Sequence, residues 1–163
     1  MRGLSPRLIE VEVTESVFLD RGSHYVLRAL ATLAKRGVRI ALDDFGTGFA
    51  SLTHLKKFPV HVLKIDQTFV SGLGKSADDA AIVRALIGLG ASLGMETVAE
   101  GIETHEQASF VRTCGCNIGQ GYLYGAAQPA ADLPDLVKGM TRNANIVPFK
   151  SARMMALLAA KGR

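Results

Sequence analysis

Five short apolar runs, each closed by an acid, a lysine or an amide and joined by helix-like stretches, constrain this chain's fold most. Residues 8–14 (Leu-Ile-Glu-Val-Glu-Val-Thr) combine β-branched residues with period-two alternation, the pattern of a strand. Further strand runs lie at 38–44, 61–66, 95–100 and 116–120. Residues 22–36 read as a helix, with Ser23 as N-cap and Gly37 as the C′ stop. Residues 78–93 read as another, in which Ile82, Leu86, Leu89 and Leu93 form an apolar stripe. Asp78 and Asp79 place carboxylates in its first turn, where the helix dipole favours them. Gly88, Gly90 and Gly94 weaken the pattern near its end, and a last helix is expected over 131–142, after Pro129.

Five strands with four intervening helices predict an α/β fold with a parallel sheet. Short βα units without a Gly-rich dinucleotide fingerprint favour a (β/α) barrel over a doubly wound sheet. The strand ends carry Glu12 to Glu15, Asp43-Asp44, Lys64-Ile65-Asp66, Glu96 to Glu103, and Gly119-Gln120-Gly121-Tyr122. Period two puts Lys64 and Asp66 on one face. Barrel enzymes build their sites at the C-terminal ends of strands, and every strand here delivers polar groups there. The separations of 21 residues (Asp43 to Lys64), 36 (Lys64 to Glu100) and 20 (Glu100 to Gln120) each suit one βα step.

Clustered carboxylates repel, and burying each extra charge is costly unless a cation compensates it. Glu12, Asp43, Asp44, Asp66 and Glu100 have only Lys64 as an organic cation in the set, which predicts a metal. Hard oxygen donors suit Mg²⁺ or Mn²⁺. Two such ions roughly 3.5–4 Å apart, bridged by one carboxylate, form the usual clamp for phosphodiester hydrolysis. Two blander readings stand beside this one. Asp43 and Asp44 could cap the following helix, and salt bridges alone could hold the strand ends together.

Composition narrows the remaining classes. A length of 163 residues fits one domain with a useful core, and no apolar stretch approaches the roughly 20 residues that span a bilayer. The start, Met1 to Arg7, lacks the apolar segment of a secretory signal. Cys114 and Cys116 are too few for a disulfide framework, so a reducing cytoplasm is the expected setting and Cys116 a packing residue. The sequence pI of about 9.3 comes from residues 142–163, which hold five basic residues and no acid, leaving a body of about −1. No aromatic residues interleave with that tail as stacking platforms. Neither a nucleic-acid polymer nor a membrane is therefore an expected partner. His24, His54, His61 and His105 show no ligand spacing, and the Met154-Met155 run reads as a packed or frayed C-terminal end.

Longer motifs support a closer comparison. Glu12-Val13-Thr14-Glu15-Ser16, Asp43-Asp44-Phe45-Gly46-Thr47-Gly48, Leu63-Lys64-Ile65-Asp66, Ala99-Glu100-Gly101-Ile102-Glu103-Thr104 and Gln120-Gly121-Tyr122-Leu123 resemble the EAL-domain family, over about residues 8–135. The resemblance implies a modified (β/α)8 TIM-type barrel with two Mg²⁺ or Mn²⁺ ions that hydrolyses cyclic di-GMP to linear pGpG. It implies that Glu12 binds the first metal, Asp43 bridges both, and Asp44 and Glu100 hold the second. Lys64 would orient the attacking water, making Lys64, Glu100 and Asp66 the catalytic set, with Glu103, Gln120, Gly121 and Tyr122 supporting the substrate. Glu15 would anchor the loop bearing Phe45, Gly46, Thr47 and Gly48. In the family that loop links the site to dimerisation, so a homodimer through residues 45–52 is expected.

Two departures from the family pattern matter. Phe49-Ala50 stands where the family usually has Tyr-Ser. The name-giving Glu-Ala-Leu motif and the Asn ligand of the strand after it are absent from these 163 residues. The expected organisation is a lead at 1–7, a partial EAL domain at 8–142, truncated to about the last five βα units, and a basic tail at 143–163. Impaired hydrolysis follows from two absent ligands. The alternative is a catalytically inactive EAL-like module that binds or regulates in cyclic di-GMP signalling.

Overall fold

The computed structural model describes residues 5–18, 23–46, 48 and 52–135. Five strands, β1 (Glu10–Thr14), β2 (Arg39–Phe45), β3 (Val62–Ile65), β4 (Glu96–Ala99) and β5 (Ile118–Gly119), form one sheet. Every neighbouring pair is parallel and the spatial order is the chain order. A doubly wound sheet reverses its strand order partway, whereas a barrel adds strands in sequence. The expected α/β, barrel-type arrangement is what the chain adopts.

The helices are α1 (Ser23–Lys35), α2 (Leu52–Lys57), α3 (Gln67–Ser71), α4 (Ala77–Ser92) and α5 (His105–Thr113). Four helices were expected between the strands; the β3–β4 crossover holds two of the five observed. Helix α1 closes in a Schellman motif. The Val38 amide donates to the Leu33 carbonyl and the Gly37 amide to Ala34, with Gly37 at φ +93°. Gly94 and Gly115 end α4 and α5 by the same pairing, so the chain turns back toward the sheet with the same device before β2, β4 and β5.

Several boundaries differ from the sequence reading. Residues 6–8 form a 3₁₀ turn rather than the start of β1, because Pro6 fixes φ and the Leu8 amide bonds Ser5. Ser23 is the first helical residue of α1, not its cap. Strand β3 stops at Ile65, because the Asp66 side chain caps α3 by accepting from the Thr68 amide. Strand β4 stops at Ala99 and β5 shrinks to two residues. On α4 the buried face is Val83, Ile87 and Gly90, while Ile82 is 37% exposed. A Cβ at position 90 would lie 2.3 Å from the Thr97 side chain, so the helix sits directly on β4 through its glycine and turns Ile82 outward. Of the last expected helix, residues 133–135 are helical and 136–142 lie outside the described residues, as does the basic tail.

Alternation sorts the side chains between the two faces of the sheet. Toward the helices, Ile40, Leu42, Leu55 and Leu63 form one fully buried cluster, and Ile65, Val70, Val83 and Ile102 another. The opposite face is layered. Arg39 bonds Glu10 (3.1 Å) and Glu96 (2.5 Å) at the strand starts. Ala41, Val62 and Val98 make a small apolar layer in the middle. Lys64, two residues after Val62, stands with Asp43 at the C-terminal ends, and that layer is where the chemistry collects.

Candidate functional site

Lys64 is the centre of the upper layer. Its Nζ lies 2.8 Å from Glu12 Oε1, 3.0 Å from Asp43 Oδ1 and 3.0 Å from Glu100 Oε1. The side chain is only 8% exposed, because β3 is flanked by β2 and β4 and its residues are buried on both faces. Burial opposes its charge, yet the hydrogen bonds it donates to Glu12, Asp43 and Glu100 outweigh that and hold the ammonium above the ordinary lysine value. Glu100, just past β4, shifts upward too. Its own burial dominates, and the charges of Asp43 and Glu12 add to it, while Lys64 compensates only in part. Three carboxylates against one ammonium leave the layer net negative.

Adjacent residues on a strand point to opposite faces, so Asp43 and Asp44 should diverge. They do not, because β2 bulges here. Leu42 pairs with Leu63 and Phe45 with Ile65, so three steps on β2 match two on β3. Asp44 takes φ +54°, a left-handed conformation that Asp tolerates better than most residues. The bulge brings one carboxylate oxygen each from Asp43, Asp44 and Glu100 within 4.8 Å of one another. Asp44 in turn pairs with Asp66. Desolvation, the Asp43 charge and the bond to Asp66 raise Asp44. Burial opposes the Asp66 charge, but bonds from the Thr68 hydroxyl, the Thr68 amide and Asp44 outweigh it and lower Asp66.

Beside these acids is a pocket of about 420 Å³ lined by Asp44, Asp66, Gln67, Glu100, Gly101, Glu103, Gln120, Gly121, Tyr122, Gly125 and Ala127. Gly121 shapes one wall. The Ile102 amide donates to the Gln120 carbonyl, and a Cβ at position 121 would lie 2.2 Å from the Ile102 carbonyl oxygen. Tyr122 stands 75% exposed at this wall. Outside the pocket, buried Glu15 accepts from the Gly46 amide at 2.7 Å, and a Cβ at Gly48 would strike its carboxylate. Thr47 lies outside the described residues.

Most of the acids and amides expected at one mouth do meet there. Glu12, Asp43, Lys64 and Glu100 form one bonded group, and Asp44, Asp66, Glu103, Gln120, Gly121 and Tyr122 line the adjoining pocket. Lys64 and Asp66 do not share a strand face as the alternation suggested: Lys64 is in β3 and Asp66 beyond its end. Glu12 is half exposed and contacts Lys64, apart from the Asp43, Asp44 and Glu100 oxygens. Gln67 and Gly101 in the pocket were not foreseen, although each directly follows a predicted acid, Asp66 and Glu100. Cys116 is buried with its thiol toward the Thr97 and Ile118 carbonyls. His61 Nδ1 accepts from the Ile40 amide on the far side of the sheet.

Comparison with known proteins agrees with this geometry. The EAL domain family model matches residues 1–127. The bifunctional diguanylate cyclase/cyclic di-GMP phosphodiesterase MucR of Pseudomonas aeruginosa is 45% identical over 130 residues, which are 80% of this chain and 19% of that protein. The cyclic di-GMP phosphodiesterase NbdA of the same organism is 35% identical over 136 residues, 83% of this chain and 17% of its own. Among solved structures, the MucR phosphodiesterase in complex with c-di-GMP superposes with a TM-score of 0.75 at 45% identity, covering 80% of this chain and 52% of that one. Klebsiella pneumoniae BlrP1, solved as a manganese and cy-diGMP complex, gives 0.69 at 31% identity over 76% of this chain and 31% of its own. The chain thus spans about a fifth of MucR and about half of the solved phosphodiesterase chain. With the family model matching more than three quarters of its length and the strand-end acids gathered at one mouth, the chain belongs to the EAL domain family.

Proposed function

We propose that residues 8–142 form part of a cyclic di-GMP phosphodiesterase domain that opens one phosphodiester to give linear pGpG. The observation that carries this reading is the Lys64 ammonium held at once by Glu12, Asp43 and Glu100 beside the paired Asp44. The relatives named as cyclic di-GMP phosphodiesterases supply the substrate.

The donor set fits Mg²⁺ or Mn²⁺. Three carboxylate oxygens within 4.8 Å are hard donors, and a net negative layer calls for a cation. Asp43, Asp44 and Glu100 would hold such an ion, and Glu12 with Asp43 a second. Bound divalent ions neutralise the phosphate and lower the pKa of water. The chain's own residues do the rest. Lys64 donates from a fixed position at the junction of Glu12, Asp43 and Glu100, where it would orient a water for attack. Asp66, its charge favoured by the bonds from Thr68, would hold Asp44 in position beside that ion. Gln120 and Tyr122 would contact the nucleotide, and Glu15 would keep residues 45–48 beside the site through the Gly46 amide. Assembly as a homodimer through residues 45–52, in the cytoplasm, belongs to the same reading.

The test is a chimera in which the part of the solved MucR phosphodiesterase that lies ahead of the matched residues precedes this chain. It should release pGpG from cyclic di-GMP with Mn²⁺, and Asp43→Ala or Lys64→Ala should cut release by at least roughly 100-fold. A folded chimera without release, or one whose Asp43→Ala form keeps its rate, would overturn the reading.

A further inference from the structure

Resting on the reading of the pocket as a cyclic dinucleotide site, we propose that Gln67 is a base-reading residue whose side-chain amide hydrogen-bonds the edge of a guanine. Gln67 is exposed, lines the pocket, and directly follows Asp66. Its amide makes no hydrogen bond with another described residue, so both its donor and its acceptor are open to a ligand.

The pocket's chemistry narrows the choice to its two amides, Gln67 and Gln120. Asp44, Asp66, Glu100 and Glu103 are carboxylates that, ionised, only accept hydrogen bonds. A guanine edge presents O6, N1–H and N2–H₂; a carboxylate can accept from the two donors, but only a partner that also donates can take the O6 acceptor beside N1–H. An amide does both, with Nε2 donating to O6 and Oε1 accepting from N1–H.

Gln67 is also held in place. Its stem lies against Gly101, where a Cβ would sit 2.5 Å from the Gln67 Cβ and 3.5 Å from Oε1. Gly101 adopts φ +68°, so the chain passes directly under Gln67 as it leaves Glu100. The base-reading amide is thereby tied to the backbone that carries a metal-ligand candidate. A base held by Gln67 would place its phosphodiester in register with Glu100.

Calorimetric titration of the Mn²⁺-loaded 163-residue chain with cyclic di-GMP tests this. Gln67→Met keeps the length and removes both hydrogen-bonding groups. The expected result is at least a fivefold rise in Kd for cyclic di-GMP, the loss of two neutral hydrogen bonds. The Mn²⁺ affinity should stay within twofold, and the melting curve should match the parent's. A Gln67→Met chain binding cyclic di-GMP within twofold of a binding parent overturns this inference alone. A parent that binds Mn²⁺ but no cyclic di-GMP overturns the functional reading and this inference with it. Weakened Mn²⁺ binding in Gln67→Met overturns the inference by showing that the residue acts on the acids instead.

Discussion

The Asp43 carboxylate lies 3.0 Å from the Lys64 ammonium while its neighbour Asp44, turned by a bulge, belongs to the same oxygen cluster. Two adjacent acids thus do different work: Asp43 is shared between the lysine and the cluster, and Asp44 joins the cluster to Asp66.

Lys64 and Asp43 should separate by substitution. Removing the ammonium makes the layer more negative, so Lys64→Met should bind Mn²⁺ at least as tightly as the parent. The same change in the chimera should abolish pGpG release. Asp43→Ala should lose both. Manganese titration followed by electron paramagnetic resonance, beside a pGpG assay, checks the split. Weaker Mn²⁺ binding in Lys64→Met would show that the lysine supports the acids structurally instead.

The bulge predicts an ordering of stabilities at position 44. Asp44→Gly suits φ +54° and removes a carboxylate that is crowded by Asp43, so it should not destabilise the metal-free chain. Asp44→Val puts a β-branched residue in left-handed backbone and should cost about 1–2 kcal/mol. Urea unfolding of the two variants should show that difference.

How much of this was legible beforehand depends on what each pattern encodes. Hydrophobic alternation located all five strands, because a strand buried against helices must alternate or be apolar throughout. It could not show that β3 ends at Ile65, since the N-cap that turns Asp66 away is set by local hydrogen bonds from the Thr68 amide and hydroxyl. Nor could it show that Asp43 and Asp44 converge, because a bulge depends on the register with a strand some 20 residues away. The stripe missed only at Ile82, for a related reason, while its Leu86, Leu89 and Leu93 do pack against the core. Hydrophobicity ranks isoleucine above glycine, but contact with β4 is made where a helix can come closest, at Gly90. Gln67 gave no strand-end signal because it opens α3 rather than closing a strand.

Core packing gives a third expectation. Leu63 is fully buried between β2 and β4 against Ile40 and Leu42, so Leu63→Ala should cost about 2–5 kcal/mol without altering the upper layer. Denaturant unfolding measures the loss.

Alkaline pH should destabilise the chain. Burial raises the Cys116 thiol above its ordinary value of 9.0, so folding favours the protonated form. That contribution is complete below about pH 9 and is lost as pH rises. For Lys64, burial opposes the charge, but its three carboxylate bonds raise it above 10.5, so its contribution persists below that value and fades above it. Unfolding free energy should therefore fall between about pH 9 and pH 12. Native alkylation should label half-buried Cys114 and spare Cys116 until denaturant is added.

The most direct test of the account is Mn²⁺ binding by the chain and its Asp43→Ala form. The strand-end oxygens of Asp43, Asp44 and Glu100 predict saturable binding that weakens at least roughly tenfold in Asp43→Ala, with the fold unchanged by circular dichroism. Identical isotherms for parent and variant, or no saturable binding by the parent, would contradict it.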